Sequence, residues 1–350
     1  MMQQKSKNMS QNSKTFSKKN FIAEIGVNFE NNLDIAKSLI SECSELGVGA
    51  VKFQTYKADK LAAKFSPSYW DIKKEKTTSQ HELFSKYDSL VEKDWIDLAS
   101  YCESKNIEFM STPFDLESVD MLDPMVKRYK ISSSDITNVP LLRKIAQKKK
   151  PIILSTGASN LEEIKFAVNE ISSYGCKFTL LHCVLNYPCD FKNSSLSKIK
   201  TLKNEFPHAE IGYSDHVAPI PGNIQLFSSI LFGAKIIEKH YTHDRSLPGN
   251  DHYHAFDYQT LDEFFSQLDE FNSACDVKDL SMQDSARTNA RRGIYADQDI
   301  KSGTVLTEKH LICKRPVHDF IPASEWDNVV GKKTKNDINK DIGITINDIE

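Results

Sequence analysis

The sequence predicts an α/β protein, a (β/α)8 or TIM barrel followed by a small β-rich domain. Three observations predict it. Short β-like runs alternate eight times with segments of helical periodicity. Each run ends in polar or ionisable residues. From about residue 288 the helical period gives way to short strands and tight turns. A chain of 350 residues is long enough for one barrel and one small domain.

The eight runs are "FIAEIG", "AVKFQT", "EFMSTPF", "RYKISSS", "PIILSTG", "FTLLHCV", "EIGYSDH" and "AKIIEKHYT". A doubly wound sheet also alternates strand with helix. The polar tips favour the barrel, because barrel enzymes build their sites from the carboxyl ends of several strands. Those tips are Glu24; Lys52 and Gln54; Thr112; Lys130 and Ser133; Ser155; His182 and Tyr187; Ser214 and His216; and Glu238 and His240. Such groups are costly to bury alone, so a ring of them implies a shared, charged pocket.

Between the runs lie amphipathic segments. In "NNLDIAKSLISECSELG", Leu33, Ala36, Leu39, Ile40 and Cys43 share one face and Gly47 signals a stop. "SNLEEIKFAVNEISSYG" starts from Ser159 or Asn160 as a cap and ends at Gly175. The expected layout is a disordered polar tail over 1–20, a barrel over 21–275, a linker over 276–287 and the β-rich domain over 288–350.

The formal net charge of -3 argues against a nucleic-acid or membrane partner. No apolar run approaches the roughly 20 residues of a membrane span, and the first twenty residues lack the apolar centre of a secretory signal. The 7 cysteines form no CxxC pair, which fits a reducing, cytoplasmic setting. Cys183 reads as a small core residue.

Two constellations carry chemistry. His216 and His240 end the seventh and eighth runs, so adjacent strands bring two imidazoles together. With waters or a substrate oxygen they suit a divalent metal, with Asp215 or Glu238 orienting one ring. Two unrelated hydrogen-bonded histidines are the plainer alternative, and His243, His252 and His254 are rival ligands on a nearby loop. Lys52 and Lys130 with Ser133, Ser155 and Ser214 make a site for phosphate or carboxylate, although either lysine alone fits a snorkelling strand end. Glu24, Gln54, Asp135 and Asp251 add acceptors for sugar hydroxyls.

Taken together, "AEIGVN", "VKFQTY", "MSTPFD", "YKISSSD", "PIILSTG", "LLHC", "IGYSDH", "EKHYT" and "LPGNDH" resemble the sialic acid synthase family. The closing "ADQDIKSGTVLTEKHLICKRP" resembles that family's antifreeze-like (SAF, β-clip) domain. The resemblance implies condensation of phosphoenolpyruvate with an N-acylated hexosamine such as N-acetylmannosamine, giving a nine-carbon 3-deoxy-2-keto acid and phosphate. It implies Glu24, Asp135, His216 and His240 in catalysis. His216 and His240 would hold Mn2+, with Mg2+ or Co2+ as alternatives. Phosphoenolpyruvate would lie on Lys52, Thr112, Lys130, Ser133, Ser155, Tyr187 and Ser214, and the sugar on Gln54, Asp251 and Arg315. Arg315 matches an arginine that serves the partner's pocket in a domain-swapped homodimer.

Three departures bear on the sugar: Phe29 replaces a histidine, Leu185 replaces a polar residue, and "PVHDFIP" follows Arg315 in place of a Gly-rich turn. A diamino-dideoxy hexose leading to a legionaminate- or pseudaminate-type product is therefore the alternative. Two other classes remain in view. A metal-dependent barrel aldolase or hydrolase would not need the lysines and serines. A glycan-binding module on a degenerate barrel would bind sugar without turnover.

Overall fold

A computed structural model of the protein describes residues 15–70, 72–73, 75–249, 251–276, 281–316 and 320–350. The chain divides into two compact units, Met1–Asp276 and Val277–Glu350.

The first unit is a barrel of eight parallel strands: β1 (Phe21–Gly26), β2 (Ala50–Thr55), β3 (Glu108–Pro113), β4 (Tyr129–Ile131), β5 (Ile152–Ser155), β6 (Phe178–His182), β7 (Glu210–Asp215) and β8 (Ile237–His240). Ladders join them in the order β3-β2-β1-β8-β7-β6-β5-β4, so the barrel is closed except at the β3–β4 seam. The helices α1 (Leu33–Leu46), α2 (Glu92–Ser104), α3 (Leu116–Leu122), α4 (Val139–Gln147), α5 (Leu161–Ser172), α6 (Lys198–Glu205), α7 (Ile224–Leu231) and α8 (Tyr258–Cys275) alternate with the strands.

Local chemistry sets the helix ends. The Asn32 side chain accepts from the Asp34 and Ile35 N–H groups, and Gly47 closes α1 in the left-handed region at φ 85°. Asn160, rather than Ser159, caps α5, with Glu163 answering in a reciprocal box.

Two apolar layers follow from the period of a strand. Outward-facing residues such as Phe21, Phe53, Tyr129 and Ile152 pack against the helices. Inward-facing Ile22, Ala50, Met110, Ile153, Leu181 and Ile236 form a plug inside the barrel. Gly212 makes room for it, since a Cβ there would stand 2.5 Å from Leu181. Two residues further along the same strands, and so on the same face, come Glu24, Lys52, Thr112, Ser155, Cys183 and Glu238. The polar floor of the barrel mouth is thus one side-chain layer above its apolar plug.

Two expected boundaries change. Residues 1–14 of the expected tail lie outside the described residues, but order begins before Phe21. Phe16 is buried; its N–H donates to Asn272 Oδ1 at 3.0 Å and its carbonyl accepts from Asn272 Nδ2 at 2.8 Å. An aromatic inside a polar run is what holds this end of the chain to α8. In the expected linker, residues 277–280 lie outside the described residues. The remainder is not extended: a 3-10 turn leads into a helix at Asp284–Ala290, as a run with Met, Gln, Ala and Arg and no Gly or Pro allows.

In the second unit β9 (Gly293–Ala296) pairs antiparallel with β10 (Leu311–Lys314). Isolated bridges extend the β character around a core that includes Ile294, Leu306, Val329 and Ile344. No described helix is long and apolar enough to cross a membrane.

Candidate active site

Sheet register brings the polar tips together. Glu24 lies between Lys52 of β2 and His240 of β8, and Ser214 lies beside Glu238. These residues line a small, almost wholly polar pit of about 50 Å3, together with Thr112, Lys130, Ser133, Ser155, Cys183, Tyr187 and His216. Every residue expected to bind phosphoenolpyruvate borders it.

The pit is an ionic network. Lys52 Nζ is 2.6 Å from Glu24 Oε2 and 3.8 Å from Glu238 Oε2. Lys130 Nζ is 3.5 Å from Glu238 Oε1, which also accepts from Ser214 Oγ at 3.0 Å. Lys52 donates to Thr112 Oγ1 at 3.2 Å, and Gln54 donates to Glu24 Oε1 at 3.0 Å. Burial acts differently on the two lysines. It pulls Lys52 down, yet Glu238 and Glu24 outweigh it and its proton is held more tightly than usual. In Lys130 burial wins over Glu238, and the pKa falls. Burial raises Glu24 against the pull of Lys52. It also opposes ionisation of Glu238, but Lys130 and Lys52 together hold that carboxyl below its ordinary value. Ser155 Oγ is buried with no hydrogen-bond partner among the described residues. Gly157 leaves the floor open, because a Cβ there would stand 2.7 Å from Cys183 Sγ and 3.0 Å from Ser133 Oγ.

A larger cavity of about 370 Å3 adjoins the pit and shares Gln54, Phe114, Ser132, Tyr187 and His240 with it. Asp135 and Asp251 line this outer chamber, with Tyr56, Tyr69, Trp70, Phe84 and Leu185 among its walls. Burial raises the pKa of Asp135, and its Oδ2 is unpartnered. Burial, then the Glu24 charge, lifts Asp251 to about 7.

The two expected metal ligands meet at the junction. The ring centroids of His216 and His240 are 5.7 Å apart. His216 Nδ1 donates to the Val184 carbonyl at 2.7 Å, which fixes the tautomer and leaves Nε2 with its lone pair. His240 Nδ1 is buried and unpartnered. Burial pushes His216 down to about 4 and His240 well below the usual range, so both rings are neutral donors. This set fits a divalent cation.

Several expectations need correction. Neither Asp215 nor Glu238 orients an imidazole. Asp215 is engaged behind the strands by Lys239 at 2.8 Å, by Tyr213 Oη and by the Val217 N–H. Glu238 sits between the lysines. Residues 238, 239 and 240 alternate faces, so Glu238 and His240 point into the barrel and Lys239 out of it. His182 leaves the site: its Nε2 donates to the Ser194 carbonyl and its ring stacks on Tyr213. Tyr187 belongs not to the tip of β6 but to the loop beyond it, ending in a cis bond to Pro188, where its ring lies 4.3 Å from that of His216. Cys183 is buried as expected, and it also borders the pit. Phe29 is core, edge-on to Phe53, and borders neither cavity. Arg315 belongs to the second unit, just past β10, and is exposed. The turn after it falls partly outside the described residues, at 317–319.

Sequence reading missed the aromatic wall from residues 56–87. The signal was "SPSYW" with Phe84 and Tyr87, an aromatic-rich stretch too irregular for a strand or a long helix. Trp70 Nε1 donates to the carbonyls of Glu75 and Thr77, pinning the loop on itself.

Comparison with known proteins gives consistent matches. The NeuB family profile covers residues 39–279 and the SAF domain profile residues 291–350. An N,N'-diacetyllegionaminic acid synthase of Campylobacter jejuni is 38% identical over 330 residues, 90% of this chain and 96% of that protein. The Legionella pneumophila protein of the same name is 36% identical, over 89% of each chain. Among solved structures, N-acetylneuraminic acid (sialic acid) synthetase from Leptospira borgpetersenii, in complex with citrate, superposes with a TM-score of 0.67 at 30% identity. It covers 77% of this chain and 90% of that one.

Proposed function

Since the chain belongs to the NeuB family, and so is an enzyme of the sialic acid synthase type, we propose that it condenses phosphoenolpyruvate with a hexose carrying two acylamino groups. The products are a nine-carbon 3-deoxy-2-keto acid and phosphate. The observation that carries this reading is the pit of two buried lysines and six hydroxyl-bearing residues opening into a larger, aromatic-walled chamber. The ammonium and hydroxyl donors of the pit suit the phosphate and carboxylate of phosphoenolpyruvate; the aromatic wall of the chamber suits a sugar with apolar substituents. Leu185 on that wall, and the likeness to two legionaminic acid synthases, favour the diamino-dideoxy sugar over N-acetylmannosamine.

In this reading Lys52 and Lys130 neutralise the phosphate and carboxylate, with Thr112, Ser133, Ser155, Ser214 and the Tyr187 hydroxyl as donors. C3 of phosphoenolpyruvate attacks the aldehyde carbon of the open-chain sugar. Water adds to the resulting cation at C2, and the tetrahedral adduct expels phosphate. Glu24, whose proton affinity burial raises, takes the proton of that water. Asp135, also raised by burial, is placed to exchange a proton with the sugar, Asp251 offers its carboxylate oxygens at the sugar end, and Gln54 bridges the two cavities. His216 and His240 would hold the divalent ion, Mn2+ by preference, which supplies Lewis acidity toward the aldehyde oxygen when bound.

The test is a panel of N-acylated hexosamines, each mixed with phosphoenolpyruvate, with phosphate release and product mass as the readouts. Phosphate released only when a sugar is present, with a diacylated diamino sugar as the preferred substrate, is the expected result. A barrel aldolase would cleave or condense without consuming phosphoenolpyruvate, and that outcome would overturn the reading. Chelation should abolish turnover and Mn2+ restore it.

A homodimer in which the partner's Arg315 completes each chamber belongs to the same reading. Mixing His240→Ala with Arg315→Ala chains should then restore activity, because one site in each mixed dimer carries neither lesion. No recovery after verified subunit exchange rules the arrangement out.

A further inference from the structure

The proposed chemistry leaves His254 without a task, and its surroundings are unusual for a histidine. It is fully buried, and neither ring nitrogen has a hydrogen-bond partner among the described residues. A neutral imidazole carries one N–H and one lone pair, and buried groups of that kind are nearly always satisfied. The unpartnered Nδ1 of His240 faces the same space, with the two ring centroids 4.6 Å apart.

Backbone pairing sets this placement. The Phe256 N–H donates to the His240 carbonyl at 2.7 Å, and the Thr242 N–H donates to the Phe256 carbonyl at 2.9 Å. The chain around Phe256 therefore runs beside the tip of β8 as a short parallel extension. It returns His254 to the barrel mouth. His252 takes no part in this: its Nδ1 shares a hydrogen bond with Thr242 Oγ1 at 2.7 Å.

One donor atom each from His240, Asp251 and His254 lie within 4.8 Å of one another, and Asp251 Oδ2 is 3.7 Å from His240 Nδ1. Ligands about 2.0–2.2 Å from a shared ion stand roughly 3–4.4 Å apart, so small side-chain adjustments suffice to enclose one. We propose that His254 is a third imidazole ligand of the divalent ion, forming with His240 and Asp251 a two-histidine, one-carboxylate face. His216, with its ring centroid 6.2 Å from that of His254, borders the same space. Such a face with open positions suits a first-row divalent metal. The inference rests on the metal reading above and extends it beyond His216 and His240.

The test uses the full-length protein stripped with chelator. Mn2+ affinity is measured by calorimetry, and the Mn2+-induced rise in melting temperature is recorded alongside. The variants are His254→Ala, His254→Phe, which keeps a ring in the space, His240→Ala, and His243→Ala as an exposed control. Both His254 variants should lose at least about tenfold in Mn2+ affinity and most of the thermal shift. The visible spectrum of the Co2+-loaded protein should change with them. His243→Ala should match the wild type. If the His254 variants bind Mn2+ as the wild type does while His240→Ala does not, His254 is not a ligand and the simpler metal site stands. If wild type and His240→Ala bind equally weakly, the metal reading falls and this inference with it.

Discussion

The pit and the outer chamber adjoin, but different parts of the chain build them. Glu24, Lys52, Thr112, Ser155, Ser214 and Glu238 stand on strands or strand tips whose spacing is fixed by ladders. The chamber takes Tyr56, Tyr69, Trp70 and Phe84 from the segment after β2, and Leu185 and Asp251 from other connections. A small, highly charged reactant needs donors held rigidly, since charge-assisted contacts weaken as geometry loosens. A larger, less polar reactant is selected by shape and apolar contact, which loops can vary without disturbing the frame.

The most severe break is to remove a lysine. We expect Lys52→Ala and Lys130→Ala to weaken phosphoenolpyruvate use by tenfold or more, since each charge-assisted contact is worth about 1.5–3 kcal/mol. The constant for the sugar should change far less. Steady-state kinetics with each substrate varied in turn gives the answer, and wild-type constants for both variants would refute the division of labour. Leu185→Asn attacks the other side. It should alter discrimination between deoxy and hydroxylated sugars about fivefold or more while leaving phosphoenolpyruvate untouched; an equal effect on both reactants would mean the two cavities act as one.

A pH profile sharpens the contrast within the pit. Burial lowers Lys130 below its ordinary 10.5, whereas the two glutamates hold Lys52 above it. Lys130 therefore loses its charge first as pH rises, and phosphoenolpyruvate capture should fail on the alkaline side. Arginine stays charged there, so Lys130→Arg should carry the alkaline limb to higher pH. An unmoved limb would assign it to another group. The smallest effect belongs to Phe29, which touches neither cavity. Phe29→Leu should cost about 1–2 kcal/mol of stability, read as a lower melting temperature, with both kinetic constants preserved.

The pit was legible in the sequence for a physical reason. Strand side chains alternate with a period of two, so an inward apolar residue followed two places later by an inward polar one marks the top of a plug, as in Ile22 and Glu24 or Ile153 and Ser155. What the pattern concealed was pairing. The stretch Glu238–His240 looked like one charged cluster, but its middle member faces the helices. Nor does a one-dimensional pattern locate loop residues: Tyr187 and His254 reach the mouth through a turn and a returning segment, and the aromatic chamber has no period at all. At the end of the polar tail, residues 15–20, composition misleads because a single aromatic, Phe16, anchors a segment that averages as unstructured.

The buried pair of Lys239 and Asp215 has a consequence for assembly of the barrel. Both side chains are shielded from water, on the face of β7 and β8 opposite the pit. If β8 slid by one residue while the barrel closed, every side chain would change faces. Lys239 would enter the pit beside Lys52 and Lys130, and Asp215 would stay buried with only neutral donors, Tyr213, Gln225 and the Val217 N–H, in place of its cation. Stranding one member of a buried pair costs about 3–5 kcal/mol, before any repulsion among three crowded ammonium groups. Such a penalty is a large share of what keeps a domain folded. The ion pair thus disfavours a closed but shifted barrel in which His240 would face the helices and leave His216 alone at the mouth.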